Sequence, residues 1–330
     1  MDLVIKISDR CNFACDFCSS NMIATTHEDL KLSKVIDFLE EHNDVRNIIV
    51  NGGDPLCVSP TWYYQLLTWM QDHNRKDINI SFTTNLWDFY KHPEKWVDLF
   101  RNEVSVCTSF QYGNERKLAT GEVFTEEMFR EIYRVFLDKI GYPLKFIAVI
   151  NDNNEDTWKD TVLLAKDLGT KCRLNPALRS GKTKKPYSFV KMMNIWLNII
   201  EEGLDEYEEN CKLIKAAYVH ETTECPFNSL CHESIRCMSP DGSVHTCPAI
   251  ADDIITGVDK AYLENSDVMR PFKDIVLKDG CYGCDNFHLC NSCTKRIIDI
   301  HDVGEEYLVE HCEGMKALSP RIERLLRESL

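Results

Sequence analysis

The sequence predicts an α/β fold: a parallel sheet closed or nearly closed into a partial (β/α)6 TIM-like barrel, followed by a small, irregular, Cys-rich C-terminal domain. Three observations predict it. Short apolar runs alternate with amphipathic segments up to about residue 175, and six βα units in a row imply a parallel sheet. Beyond residue 223 the pattern breaks into short pieces punctuated by Cys, too irregular to build a core unaided. The chain carries 16 Cys, most of them clustered.

The strands are expected at residues 3–7, 47–50, 78–82, 104–108, 145–150 and 171–174. Between them, Leu32, Val35, Ile36 and Leu39 recur at i, i+3, i+4 and i+7, and residues 124–137 and 157–168 share that period. Gly169 stands where the last of these helices should stop. Helical spacing continues through 187–200, and the acidic stretch 201–209 reads as a solvated helix face. We therefore expect a barrel over 1–185, a bridging helical segment over 186–222, and a domain over 223–330 held together by whatever its cysteines bind. No repeat of fixed period is evident.

With 330 residues and 44% hydrophobic composition the chain suffices for about two domains. The 38 Lys and Arg against 53 Asp and Glu give a formal charge of −15, which excludes general nucleic-acid binding. No apolar run reaches bilayer-spanning length, and the first residues lack a secretory pattern, so a cytoplasmic, reducing environment is expected. Disulfides do not persist there, and metal ligation becomes the leading explanation for clustered Cys. Cys57, Cys107, Cys172, Cys211 and Cys237 stand apart and read as small buried hydrophobes.

Cys11-x3-Cys15-x2-Cys18 follows directly on the first strand. Three such ligands cannot close a tetrahedral zinc site alone, but they can hold a 4Fe-4S cubane by three irons and leave the fourth open. The alternative is zinc completed by His27 or Asp16. The segment from Cys11 to Cys18, with Phe17 before the third Cys, resembles the signature of the radical S-adenosylmethionine (SAM) superfamily. The resemblance implies that the open iron chelates SAM and that reductive cleavage yields a 5′-deoxyadenosyl radical, with Phe17 against the nucleoside. Asn51-Gly52-Gly53-Asp54-Pro55, at the end of the second strand, looks like the family's Gly-Gly-acid motif, whose backbone and acid meet the methionyl amine. Thr83-Thr84-Asn85 is similar to its Thr-Asn turn. By the same resemblance Ser109 would meet the ribose or carboxylate, and Ile150 and Leu174 would line the adenine. The glycines of a fifth-strand motif found in some relatives are absent around Ala148 and Asp152.

Cys281-x2-Cys284-x5-Cys290-x2-Cys293 alone is ambiguous between a zinc knot and iron-sulfur. Together with Cys225-x5-Cys231-x15-Cys247 and Cys312 it resembles the SPASM extension of radical SAM proteins, apart from a last short gap of two residues where three is usual. That resemblance implies two auxiliary 4Fe-4S clusters, one on Cys225, Cys231, Cys247 and Cys293 and one on Cys281, Cys284, Cys290 and Cys312, three clusters in all. Both would be fully ligated and serve electron transfer, with a flavodoxin- or ferredoxin-type reductant as partner.

Of the reactions the resemblance allows, modification of a peptide or protein is favoured, by thioether or carbon-carbon bond formation or another oxidation. Radical chemistry on a small molecule or nucleotide is the alternative. Sulfatase maturation is less favoured, because Cys247 is followed by Pro248-Ala249-Ile250 where such enzymes place Asp, although Asp252 and Asp253 are near. The first barrel strand is expected at Leu3, so a peptide substrate is expected to be recognised by the barrel or presented by a separate leader-binding protein. The basic stretch 179–185 is a candidate for a substrate carboxylate or phosphate, and Gln111, Tyr112 and His245 are polar groups expected near the mouth. A non-catalytic metal scaffold would have no need of Gly52-Gly53-Asp54 behind a three-Cys loop.

Overall fold

The computed structural model describes residues 1–19, 28–180, 183–219, 221, 224–228, 231–256, 281, 283–290 and 293–327. Six strands, β1 (Asp2–Lys6), β2 (Asn47–Asn51), β3 (Asn79–Thr83), β4 (Ser105–Ser109), β5 (Lys145–Ile150) and β6 (Cys172–Pro176), pair in parallel in that order. The sheet then runs beyond the six expected strands. On the other edge of β1 lies β7 (Ile235–Met238), parallel and in register from Asp2 with Ile235, and the short β8 (Val244–His245) turns back antiparallel on it. The Cys-rich segment thus continues the barrel wall. Sequence periodicity missed this hairpin because its strands have only 4 and 2 residues.

Alternation along the strands divides the molecule. Ile48 and Val50, Ile80 and Phe82, Phe146, Ala148 and Ile150, and Cys172 and Leu174 all enter the main core under the outer helices. Their neighbours of opposite parity, Asn51, Thr83, Ser109, Val149 and Asn175, line a cavity at the C-terminal strand ends. The outer helices carry the expected faces: α1 (Leu32–Glu41), α2 (Pro60–Asp72), the short α3 (Trp87–Lys91) and α4 (Val97–Asn102), α5 (Glu126–Ile140) and α6 (Trp158–Asp167). The α1 face is rotated slightly from expectation, burying Val35, Phe38 and Leu39 rather than Ile36. Helix α5 shows how local the signals are. Thr125 accepts from the Met128 N–H at 3.3 Å, Gly141 ends the helix with φ +95°, and Phe129, Ile132, Tyr133, Phe136 and Ile140 are buried.

Two expectations need correction. The stretch 201–209 is not one solvated helix face. Glu208 is 1% exposed, and its carboxylate accepts from the Leu174 and Cys211 N–H groups at 2.8 Å each, tying β6 to the start of α8 (Glu209–Tyr218). Burial pushes it up to about 7, against the pull of those donors. The C-terminal part also joins the main core. Counting α7 (Phe189–Glu201), a four-residue α9 (Cys231–Ser234), α10 (Pro248–Thr256), a four-residue α11 (Phe287–Cys290) and α12 (Thr294–Val303), the last helix is α13 (Glu305–Arg327). It lies on α7, buries Met315, Ile322, Leu325 and Leu326, and pairs Arg321 with Asn194, Asn198 and Glu201. Helix α10 covers the inner face, where Ala251 packs on Val4 and Cys237. Among the described residues no helix is long and apolar enough to cross a membrane.

The α7–α13 seam is tightest at Gly314, where an added Cβ would stand 2.8 and 2.9 Å from the two Val190 methyls. Ala for Gly inside a helix is ordinarily favourable by about 1 kcal/mol; here the contact reverses the sign. Gly314→Ala should lower the denaturation midpoint. In a double-mutant cycle with Val190→Ala the pair should lose less than the sum of the singles, by about 1 kcal/mol.

Candidate active site

The segment after β1 is held as a third layer over the strand ends. Ile7 N–H still bonds Asn51 O at 3.0 Å, and then Ala14 N–H and Asp16 N–H bond Lys117 O and Glu115 O, each at 2.8 Å. Phe13 anchors the loop between Phe124 and Trp87, with ring centroids 5.0 and 6.2 Å away. The loop so fixed places Cys11, Cys15, Cys18 and Phe17 on one cavity of about 470 Å3, within the range of cofactor pockets.

Gly52 and Gly53 bring the end of β2 against this loop. Gly53 N–H donates to Ser8 O at 2.7 Å and Asp54 N–H to Arg10 O at 2.8 Å. A Cβ on Gly52, whose φ is +130°, would lie 2.6 Å from Ser8 O, and one on Gly53 only 2.2 Å from Arg10 O. The glycines therefore serve close approach of the chain to itself. Asp54, 1% exposed, turns its carboxylate inward to accept from Leu56 N–H at 2.9 Å, Asn85 N–H at 2.8 Å and Thr84 Oγ1 at 3.0 Å. Burial raises it to about 6 despite these donors. Asn85 Nδ2 in turn donates to Asn12 Oδ1 at 2.6 Å and reaches Cys11 Sγ at 3.7 Å. The three expected motifs form one hydrogen-bonded unit.

Of the other expected contacts, Ser109 lines the cavity, whereas Ile150 and Leu174 turn into the core. Their backbones are engaged as well: Ile150 O accepts from Ala177 N–H at 2.8 Å, and Leu174 N–H bonds Glu208. By strand parity, Val149 and Asn175 occupy the cavity wall instead. Two buried cations escaped sequence reasoning. Arg116 donates to Ser109 Oγ at 3.0 Å and Gln111 Oε1 at 3.3 Å, and stands 5.3 Å over the Phe17 ring. Burial works against its charge, and the Cys15, Cys18 and Cys11 thiols work for it. Lys6 pairs with Asp252 and donates to Pro248 O at 2.9 Å, joining β1 to α10 within the same cavity. Arg116 sits in an unpatterned polar loop and left no signal, but a Lys inside the apolar first strand was legible as an anomaly.

The proposed zinc completion finds no support at Asp16, which is paired with Lys117 at 2.6 Å; His27 lies outside the described residues. Of the basic stretch, Ser180 lines the cavity, whereas Arg179 pairs with Asp302 at 3.1 Å and Lys185 lies over Tyr307; Gly181 and Lys182 are outside the described residues. Tyr112 opens on a separate surface groove with Glu126, and His245 meets Ser243 Oγ at 3.0 Å.

The family model of the radical SAM superfamily matches residues 5–171, just over half of the chain. The chain belongs to the radical SAM superfamily. Among curated proteins it is similar to the GTP 3′,8-cyclases of Staphylococcus carnosus (strain TM300), 25% identical over 221 residues, and Staphylococcus haemolyticus (strain JCSC1435), 26% over 225. It spans 62% of the length of those relatives, which match 62% of this chain. Among solved structures it shares the fold of anSMEcpe with bound AdoMet, TM-score 0.71 at 18% identity, each chain covered to 100%. The same protein with bound AdoMet and Cp18Cys peptide gives TM-score 0.70 at 17% identity, with 100% of this chain and 99% of that one covered.

Radical SAM membership implies a 4Fe-4S cluster and SAM, and the residues present fit both. Three thiols converge on one cavity, the donor set that leaves one iron open. Burial, then Asp54, pushes the Cys11 thiol up, so ligation that releases protons is coupled to this pocket.

Farther along, burial and then the Cys293, Cys247 and Cys231 thiols push the Cys225 thiol up, although the residue as a whole is exposed. The Cys290 thiol is pushed up to about 12 by burial, Arg296 acting in the opposite sense and Cys284, Cys312 and Cys281 adding to it. The thiols that act on Cys225 are among those that residue order groups with it, and those that act on Cys290 are among those grouped with that residue. Cys172, Cys211 and Cys237 are buried and Cys57 and Cys107 half-buried.

Gly53→Ala should displace residues 8–10 and with them Cys11. We expect the anaerobically reconstituted variant to lose about four irons per chain and its SAM binding while the circular dichroism spectrum is kept; full iron content would count against the close-approach role of Gly53.

Proposed function

We propose that this chain is a radical SAM enzyme of the SPASM type that abstracts a hydrogen atom from a peptide or protein substrate, with two auxiliary clusters carrying electrons. The observation that carries the reading is the hydrogen-bonded unit of Cys11, Asn85, Asp54 and Thr84 beside a cavity lined by all three loop thiols. When bound, the cluster and SAM supply a 5′-deoxyadenosyl radical through reductive cleavage of the sulfonium.

The chain's own residues do the rest. Cys11, Cys15 and Cys18 would hold the cluster, and the strand end at Gly52 and Gly53 fixes the loop that carries them. Phe17 and Val149 give the cavity apolar wall, and Ser109 and Asn175 give it polar groups. Arg116 supplies positive charge beside thiolates in a water-poor pocket, where it counts for more than at the surface. The Lys6–Asp252 pair closes the cavity from the side of the Cys-rich segment. The two Cys quartets would each hold a fully ligated auxiliary cluster.

A peptide substrate is supported by the likeness of fold over the whole chain to a protein solved with AdoMet and a peptide. Nucleotide chemistry is the second reading, favoured by the sequence similarity to enzymes named GTP 3′,8-cyclase. Reduced enzyme with SAM should move deuterium from a deuterated substrate into 5′-deoxyadenosine. Transfer from a peptide encoded beside this gene supports the first reading, and transfer from deuterated GTP the second. Cys15→Ala should reduce SAM cleavage to the enzyme-free background; retained cleavage would remove the loop thiols from the mechanism.

A further inference from the structure

Arg296, in the first turn of α12, is a cation buried outside the cavity. It is 6% exposed. Its NH2 group donates to Leu289 O at 2.8 Å and Cys290 O at 3.2 Å, and its guanidinium carbon lies 3.6 Å from the centroid of the Phe189 ring. Cys293 is the N-cap of the same helix, three residues earlier and so on the same side. The guanidinium is therefore held by the carbonyl of a member of one Cys quartet and is one helical turn from a member of the other. Burial works against its charge, while the thiols of Cys293, Cys290 and Cys225 work for it.

Resting on the proposal that each quartet holds a cluster, we infer that Arg296 is a shared counter-charge placed between the two auxiliary clusters, raising the reduction potential of both. A fixed cation beside a cluster stabilises the reduced, more negative form, and net local charge is among the levers that set cluster potentials. A charge serving only one cluster would separate the two potentials. One shared between them moves both together and keeps electron exchange between them near balance. Arg suits this place better than Lys, because its planar fork can hold two carbonyls and an aromatic face at once while remaining charged.

The test is an EPR-monitored redox titration of the full-length, anaerobically reconstituted protein, with iron analysis, for the native chain, Arg296→Gln and Arg296→Lys. We expect Arg296→Gln to shift both auxiliary potentials downward and leave the Cys11–Cys18 cluster unmoved, with Arg296→Lys close to native. Unchanged potentials, or a shift of one auxiliary cluster only, would overturn the inference. If Arg296→Gln loses auxiliary iron while Arg296→Lys keeps it at native potentials, charge is the requirement and the inference stands. Equal iron loss in both variants assigns Arg296 to packing and overturns it. A native chain with about four irons instead of about twelve would refute the auxiliary clusters themselves, a separate result.

Discussion

The mouth of the barrel depends on one close contact, the backbone of Gly52 and Gly53 against the carbonyl oxygens of Ser8 and Arg10. Nothing larger than hydrogen fits between them. The contact sets where the chain leaves β1 and so where Cys11 begins its loop. Asp54 then converts position into rigidity. A buried carboxylate is costly unless its lone pairs are filled, and here the donors come from residues 56, 84 and 85. The end of β3 is thereby fastened to the end of β2, and Asn85 extends the fastening to Cys11. Moving any one of the three segments would leave a buried charge or donor uncompensated, which explains why an acid sits at this strand end.

The period of two along the strands decides what the rest of the cavity can be. Residues of one parity are committed to the core beneath the helices, so chemistry is available only to the other, and only at the C-terminal ends. The polar residues Asn51, Thr83, Ser109 and Asn175 are found there. The same parity explains Lys6, which shares the inner face with Val4. Without α10 that lysine would face an open barrel. With α10 it meets Asp252, an ion pair between residues far apart in sequence that commits the Cys-rich segment to the barrel as firmly as β7 does.

The six strands and the three motifs were legible because each is a local pattern, an apolar run or a fixed spacing read within ten residues. What was not legible depends on register or distance. Ile150 ends β5 as expected and Leu174 lies two residues before the end of β6, but whether a residue near a strand's end faces cavity or core changes with one step of chain. Glu208 resembles its acidic neighbours in composition and differs only in having β6 above it. Helix α13 carries an amphipathic pattern of its own; the density of Cys before it drew attention away from the 23 residues that follow Gly304.

An acidic chain with cations in its interior sets a final constraint. Lys6 is matched by Asp252 and Lys295 by Asp299, at 2.5 Å in the latter case. For the buried arginines Arg116 and Arg296, neighbouring thiols favour the charged form against burial. A buried guanidinium beside neutral thiols is poorly compensated, and Arg116 keeps one buried N–H, at Nε, without an acceptor among the described residues. The thiols are equally unsatisfied as anions, since burial raises Cys11 and Cys225. Each group is unfavourable by itself, and ligated thiolates would relieve both at once. The lysines are therefore matched by carboxylates, whereas the arginines gain further stabilisation when the cysteines carry charge, which couples the stability of the site to its occupancy.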